Sequence, residues 1–131
     1  MRFVVFMQGC PLRCRYCHNP DTWAFQQGRT LTAPELMAEI SRYRSFIQKG
    51  GVTLSGGEPL AQPEFGELPR ALPRGGPAHG GGYLGSRSPG TLPRAVDEAD
   101  LLLLDIKALE PALCKALTAG QHRGAEFTAL L

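Results

Sequence analysis

Three of the four cysteines lie within eight residues, and their spacing is typical of a metal centre. Three residues separate Cys10 from Cys14, and two separate Cys14 from Cys17. Cysteines this close in sequence would strain most disulfide bonds between them, whereas a tight loop can turn three thiolates towards one point. Arg13 and Arg15 lie between the cysteines, and we expect their charges to favour the thiolate form that binds metal. The stretch therefore predicts a metal centre rather than a disulfide.

The number of local ligands favours an iron–sulfur cluster over zinc. A four-iron, four-sulfur cluster normally takes four cysteine ligands, so three thiolates would leave one iron open to a substrate or cofactor. A zinc site is the alternative, with His18 or the distant Cys114 as its fourth ligand. Zinc ligands usually come as two separated two-ligand knuckles, and the sequence has no second knuckle.

The cysteine stretch resembles a known family. Cys-x-x-x-Cys-x-x-Cys is the signature of the radical S-adenosylmethionine enzymes, and the flanking residues look like the pyruvate formate-lyase activating enzymes within them. Those residues are Phe6-Met7-Gln8-Gly9-Cys10 and Tyr16-Cys17-His18-Asn19-Pro20-Asp21-Thr22-Trp23. The resemblance implies that Cys10, Cys14 and Cys17 hold a [4Fe-4S] cluster whose open iron binds S-adenosylmethionine. It also implies that Tyr16 and His18 lie near the adenine of that cofactor.

A Gly-Gly-Glu turn extends the resemblance. Residues 52–55 have the composition of a short strand, and Gly56-Gly57-Glu58 follows directly. Two glycines often mark a plain turn, but without side chains they also let a ligand lie against bare backbone. In the family this stretch holds the amino group of S-adenosylmethionine. By resemblance, Gly56, Gly57 and Glu58 take that role.

An Asp-x-Lys sequence is the third motif. Residues 101–107 predict a fully buried strand, on which Asp105 and Lys107 would point to the same face because they are two apart. A surface ion pair is the alternative. In the activating enzymes this motif borders the bound cofactor, so the resemblance places both residues in the pocket, with a monovalent cation beside Asp105.

The elements around these motifs alternate between strand and helix. Residues 3–6 predict a buried strand that leads into the cysteine loop. Thr32 and Glu35 predict a capping box at a helix start. The positions that recur at helical spacing, and that we therefore expect in the core, are Leu36, Ile40, Tyr43 and Ile47.

This alternation, taken with the resemblance, predicts an α/β fold: the front part of a partial (β/α) barrel. Ligands in such folds bind beyond the carboxyl ends of the strands, where the cysteine loop lies. We expect residues 1–131 to form a single, incomplete core domain, because the resemblance reaches only the front half of a family member.

The middle of the chain departs from the family pattern. Residues 66–94 contain 8 glycines and 5 prolines, so we expect an irregular segment there. The carboxylate of the family's Asp-Thr-x-Gly turn is absent from this stretch. Our hypothesis is that residues of about 66–81 were read in a shifted frame, or were otherwise scrambled, and a genuine flexible loop is the alternative.

Composition narrows the function further. The net charge is +2, and no basic block suggests a nucleic-acid partner. No apolar run is long enough to span a membrane. Clustered cysteines without a dispersed framework indicate a reducing compartment, so we expect a cytoplasmic protein.

The resemblance implies an oxidoreductase of the [formate-C-acetyltransferase]-activating type. Such an enzyme cleaves S-adenosylmethionine to a 5′-deoxyadenosyl radical, which removes a hydrogen atom from one glycine of a glycyl-radical enzyme, here pyruvate formate-lyase. A flavodoxin-like electron donor is implied as well. The alternatives are a small zinc-binding structural module and an inactive fragment of the activating enzyme.

Overall fold

A computed structural model of the chain describes residues 1–62, 79–83 and 99–120, and these residues form a parallel sheet with helices. The strands are β1 (Phe3–Met7), β2 (Val52–Gly56), β3 (His79–Tyr83) and β4 (Leu101–Leu104). They lie side by side in chain order, and each neighbouring pair is parallel. The fold is therefore α/β with parallel strands, as the sequence predicted.

The helices in these ranges are short. They are α1 (Ala33–Ser41), α2 (Arg44–Ile47) and α3 (Pro111–Thr118), and the 3₁₀ turns are Pro20–Thr22 and Pro59–Ala61. Of the helices that the structure describes, none has the length and apolar character needed to cross a membrane.

One face of the sheet packs against α1 and α2 to form the core. The buried side chains of this core are Leu36, Ile40, Ile47, Val52, Leu54 and Leu60. Alternate residues of β1 pack against them, because successive side chains of a strand point to opposite faces. Burial of each such aliphatic side chain contributes about 1.5–3 kcal/mol, so this layer holds the strands in place.

The opposite face of the sheet is apolar but exposed. Val4 and Leu101 lie in the same row of the parallel register, and both are about half exposed, as are Phe6 and Leu103. The prediction of a buried strand at residues 3–6 and of a fully buried strand at residues 101–107 is therefore wrong about the extent of burial. Each strand buries only alternate residues, because the helices of the described core cover one face.

The predicted helical core position at Tyr43 is also wrong. Arg42 and Tyr43 donate backbone hydrogen bonds to Glu39 and Ile40, which closes α1 with a tight turn, and a new helix begins at Arg44. Tyr43 lies between the two helices and is 50% exposed. Its ring packs 5.4 Å from that of Phe3, at the edge of the core.

Strand β3 lies inside the segment that we expected to be irregular. Its glycines have low intrinsic strand propensity. The strand forms nevertheless, because β2 and β4 supply hydrogen-bond partners for its backbone on both sides. The expectation of irregular structure is therefore wrong for His79–Tyr83. The rest of that segment, including most of the proposed frameshift, lies outside the described residues.

The capping box at the start of α1 forms as predicted. Thr32 Oγ1 accepts a hydrogen bond from the Glu35 backbone N–H, and the Glu35 carboxylate accepts one from the Thr32 backbone N–H at 2.8 Å. The hydrogen bonds from Thr32 hold the pKa of Glu35 below its ordinary value of 4.5.

Replacement of the cap, Thr32→Ala, should lower the free energy of unfolding by about 1 kcal/mol, because a helix N–H loses its partner. Urea denaturation followed by circular dichroism measures this, with Thr30→Ala as the control that removes a nearby exposed hydroxyl. The ionised Glu35 stabilises the box only above its folded pKa, so the difference between wild type and Thr32→Ala should narrow as the pH falls below 4.5. An unchanged difference in acid would contradict this role of Glu35.

Candidate metal and cofactor site

A cavity of about 390 Å³ lies at the carboxyl ends of β1, β2 and β4, a volume typical of small-molecule sites. It brings together nine of the ten predicted site residues: Cys10, Cys14, Tyr16, Cys17, His18, Gly56, Gly57, Asp105 and Lys107. The sequence reasoning missed four further lining residues, Asn19, Thr22, Trp23 and Ser55. Their proximity in sequence to the motifs was the one available signal.

The cysteine loop is folded around a buried leucine. Leu12 is almost completely buried between Cys10 and Cys14, and Cys17 and Trp23 pack against this cluster. The backbone N–H of Cys17 donates to the Cys14 carbonyl at 3.0 Å, which closes the turn that carries the last two thiols. All the cysteines are free thiols.

The guanidinium of Arg13 contacts the backbone of the cysteine loop. The guanidinium of Arg13 donates to the backbone carbonyls of Cys10 and Leu12 at 2.6 and 2.7 Å and lies 5.3 Å from the centre of the Trp23 ring. Its charge is thus directed at the backbone, where it stiffens the loop.

Burial affects the protonation of two thiols of the loop. It raises the pKa of Cys10 and of Cys14, and the negative charge of Glu58 adds to the rise at Cys10. The cation that lowers the pKa of Cys14 is Lys107, which approaches from beyond β4. A residue of the pocket, Lys107, therefore supplies positive charge that favours a Cys14 thiolate.

The arrangement of donor groups bears on the choice between zinc and a cluster. Within the described ranges, no group of three or more His, Cys, Asp or Glu side chains is placed to hold one metal ion together. Structural zinc requires four ligands around a single ion at about 2.0–2.3 Å. In a cluster each thiolate binds a different iron, so three thiols that line one cavity are compatible with a cluster.

The Gly-Gly turn is needed for the contact between two loops. A Cβ at Gly56, whose φ is +101°, would lie 2.5 Å from the Met7 backbone nitrogen, and a Cβ at Gly57 would lie 2.3 Å from the Gly9 carbonyl oxygen. Both glycines line the cavity, but the space that their missing side chains leave is filled by the backbone of β1 and its loop. The turn after β2 thus fixes the cysteine loop as well as facing the cavity.

Glu58 is the predicted site residue that does not line the cavity. Its side chain is fully buried, and the carboxylate accepts a hydrogen bond from the Leu60 backbone N–H at 3.0 Å. Its own N–H donates to the Gly9 carbonyl at 2.8 Å. The structure therefore places Glu58 behind the cavity wall, where it joins the Gly-Gly turn to the cysteine loop.

Asp105 and Lys107 lie just beyond the end of β4 rather than on the strand. The Lys107 ammonium donates to the Asp105 carboxylate, and the exposed fractions of the two side chains are 13% and 52%. Burial disfavours the ammonium, but the hydrogen bond and charge of Asp105 outweigh it and raise the pKa of Lys107. Lys107 also lies 5.6 Å from the centre of the Tyr16 ring, and the Tyr16 hydroxyl donates to the Lys107 carbonyl.

Comparison with known families defines the class. The family model of the radical SAM superfamily matches residues 4–128 of this chain. The chain therefore belongs to the radical SAM superfamily, and this membership implies a [4Fe-4S] cluster and S-adenosylmethionine.

Curated relatives with similar sequences are named as activating enzymes. The chain is 41% identical over 126 residues to the pyruvate formate-lyase-activating enzyme of Clostridium pasteurianum, covering 95% of this chain and 53% of that protein. It is 42% identical over 122 residues to the enzyme of the same name from Listeria monocytogenes, with coverage of 85% and 48%. It is 37% identical to pyruvate formate-lyase 1-activating enzyme of Escherichia coli, with coverage of 100% and 56%. The chain thus spans about half the length of the curated relatives it matches.

Solved structures support the fold. SuiB of Streptococcus suis, in its complex with the precursor peptide SuiA, superposes with a TM-score of 0.73 at 15% identity, over 92% of this chain and 27% of SuiB. SuiB bound to S-adenosylmethionine gives a TM-score of 0.71 at 17% identity, over 92% and 28%. These likenesses confirm a partial radical SAM fold with parallel strands.

The contact between Lys107 and the cysteine loop can be tested in the metal-free chain. Lys107→Met should raise the pKa of the Cys14 thiol further, because the cation that lowers it is lost, whereas Lys107→Arg should retain a lower value. The rate of Cys14 alkylation, measured as a function of pH and assigned by peptide mass spectrometry, reports this change in pKa. Lys115→Met on α3 is the control for loss of a charge, and a Cys14 profile that is identical in all four proteins would contradict the contact.

Proposed function

We propose that this chain is the cluster- and cofactor-binding part of a pyruvate formate-lyase activating enzyme, with residues 1–131 forming a single, incomplete core domain. The observation that carries the proposal is the convergence of three cysteines, a Gly-Gly turn and the Asp105–Lys107 pair on one cavity. The identity of about 40% to enzymes with that name supports the same function.

In this proposal Cys10, Cys14 and Cys17 each bind one iron of the cluster. His18 faces the cavity, where it borders the proposed cofactor, while Cys114 does not line the cavity. When the cluster and cofactor are bound, the chemistry supplied is transfer of one electron to the sulfonium, which yields methionine and the 5′-deoxyadenosyl radical that abstracts a hydrogen atom from a glycine. The chain itself binds, orients and shields these groups.

The Gly-Gly turn, Tyr16, His18 and Lys107 hold the cofactor in this proposal. The backbone of Gly56 and Gly57 offers polar groups to the amino group of S-adenosylmethionine, and Glu58 stabilises this turn from behind. Tyr16 and His18 border the adenine. The Lys107 ammonium is suited to the cofactor's carboxylate because it is cationic and mostly enclosed by the site.

A monovalent cation beside Asp105 is a finer part of the proposal. The Asp105 carboxylate carries the Lys107 ammonium on Oδ2 and is 52% exposed, so it can approach a small cation as well. Such a cation would balance the negative charge that the Asp105 carboxylate places beside the cofactor.

The proposed partners follow from the relatives. The protein substrate is pyruvate formate-lyase, which the names of the similar enzymes specify, and a flavodoxin-like protein supplies the electron. We place this function in the cytoplasm, because buried free thiols must stay reduced to take up iron.

Iron uptake tests the metal site. Anaerobic reconstitution of the wild-type chain should give a brown protein with about four irons per chain. Cys14→Ala should lose most of this iron, whereas Cys114→Ala should retain it because that buried cysteine lies outside the cavity. One tight zinc without iron uptake, or equal iron loss in Cys114→Ala, would overturn the cluster assignment.

Cofactor cleavage tests the activity. The reconstituted, dithionite-reduced chain should convert S-adenosylmethionine to methionine and 5′-deoxyadenosine, and Cys14→Ala should not. Liquid chromatography of the products measures both. A chain that holds four irons but cleaves no cofactor would show that this half of the fold binds the cluster without turnover.

A further inference from the structure

The C-terminal end of α3 lies against the cysteine loop. The backbone N–H groups of Arg13 and Arg15 donate to the carbonyls of Thr118 and Leu117 at 2.7 and 2.9 Å. Carbonyls in the last turn of a helix lack partners within the helix and must find them elsewhere. Here their partners are the two residues that flank Cys14, so the end of α3 holds the loop at its central cysteine.

Thr118 holds the end of the helix in place. Its side chain is fully buried, although it is polar, and its hydroxyl donates to the Cys114 carbonyl at 2.8 Å. The Gly120 N–H donates to the Thr118 hydroxyl oxygen at 3.3 Å. The residue between them, Ala119, has a left-handed φ of +53°, which a residue with a Cβ adopts only under constraint.

Gly120 makes the second contact with the loop. A Cβ at this position would lie 2.4 Å from Leu12 Cδ2. Leu12 is almost completely buried between Cys10 and Cys14, so its side chain has little room to yield. The turn after α3 can therefore approach the loop this closely only with glycine at 120.

We propose that Thr118 and Gly120 are positioning residues that fix the geometry of the three cysteines. They act through the backbone of Arg13 and through Leu12, and they do not touch the cavity. The assignment of a cluster to this loop rests on the proposed function. The contact between α3 and the loop does not depend on that function.

Hydrogen exchange in the metal-free, full chain tests the contact directly. Thr118→Val removes the hydroxyl at similar volume, and with it the buried hydrogen bond to the Cys114 carbonyl. Because this bond holds the end of α3, the hydrogen-exchange protection of the Arg13 and Arg15 amides should fall about tenfold. Thr118→Ser should restore it. Ser41→Ala is the matched control, since the Ser41 hydroxyl makes the same bond to the carbonyl four residues earlier, on α1. Gly120→Ala should also lower protection in the loop.

Hydrogen exchange at the amides of the core strands distinguishes an effect on the cysteine loop from a loss of overall stability. Val5 and Leu54, which are paired in the β1–β2 register, should keep wild-type protection in all these variants. Unchanged Arg13 and Arg15 protection in both Thr118→Val and Gly120→Ala would overturn the proposal. Loss of protection in β1 and β2 together with the loop would do so too, because the residues would then support the whole fold rather than the cysteines.

Iron uptake then connects the contact to the cluster. After anaerobic reconstitution, Thr118→Val and Gly120→Ala should lose iron and visible absorption faster under chelator than wild type and Thr118→Ser, by about tenfold in rate for the same lost bond. Variants that lose loop protection yet hold iron as long as wild type would contradict a positioning role. If even wild type takes up no iron while the exchange results hold, the proposed function fails and the structural contact remains.

Discussion

The site depends on a backbone contact between the ends of two neighbouring strands. Pairing of β1 with β2 continues beyond the strands, since Gly57 N–H donates to the Met7 carbonyl and Glu58 N–H to the Gly9 carbonyl, at 2.9 and 2.8 Å. This approach leaves no room for a Cβ at Gly57. The loop that carries the thiols and the turn that faces the cofactor are thereby joined as one unit. Other parts of the site, including α3 and the residues after β4, are placed around that unit.

Two effects act on the thiols in opposite directions: burial disfavours the thiolate form, and the charge of Lys107 favours it at Cys14. Buried thiolates are costly in a low-dielectric setting, and burial accordingly raises the pKa of Cys10 and Cys14. Metal binding must displace the thiol protons, so the binding free energy includes that of deprotonation. Lys107, held by Asp105 and by the ring of Tyr16, lowers this energy at Cys14.

The sequence predicted the features that depend on local chemistry and missed those that depend on distant packing. The spacing of the cysteines and the capping box at Thr32 are local patterns, and the structure bears out the capping box and places the cysteines around one cavity. Tyr43 followed the helical period but lies in the tight turn between α1 and α2. Strand β3 could not be predicted from glycines, because β2 and β4 supply its bonds. The contact of Thr118 with the cysteine loop gave no local signal, because it joins residues that are more than 100 positions apart.

The separation in sequence between the loop and its supports has a consequence for biosynthesis. The cysteines emerge first from the ribosome, but Tyr16 meets its partner Lys107 across 91 residues, and α3 follows later still. Non-local contacts of this kind form slowly, because the intervening chain must be ordered before they contribute. The nascent loop therefore exists for a time as an unsupported trio of thiols, open to oxidation or to stray metal. A cluster on the supported loop would therefore form only after translation has passed α3.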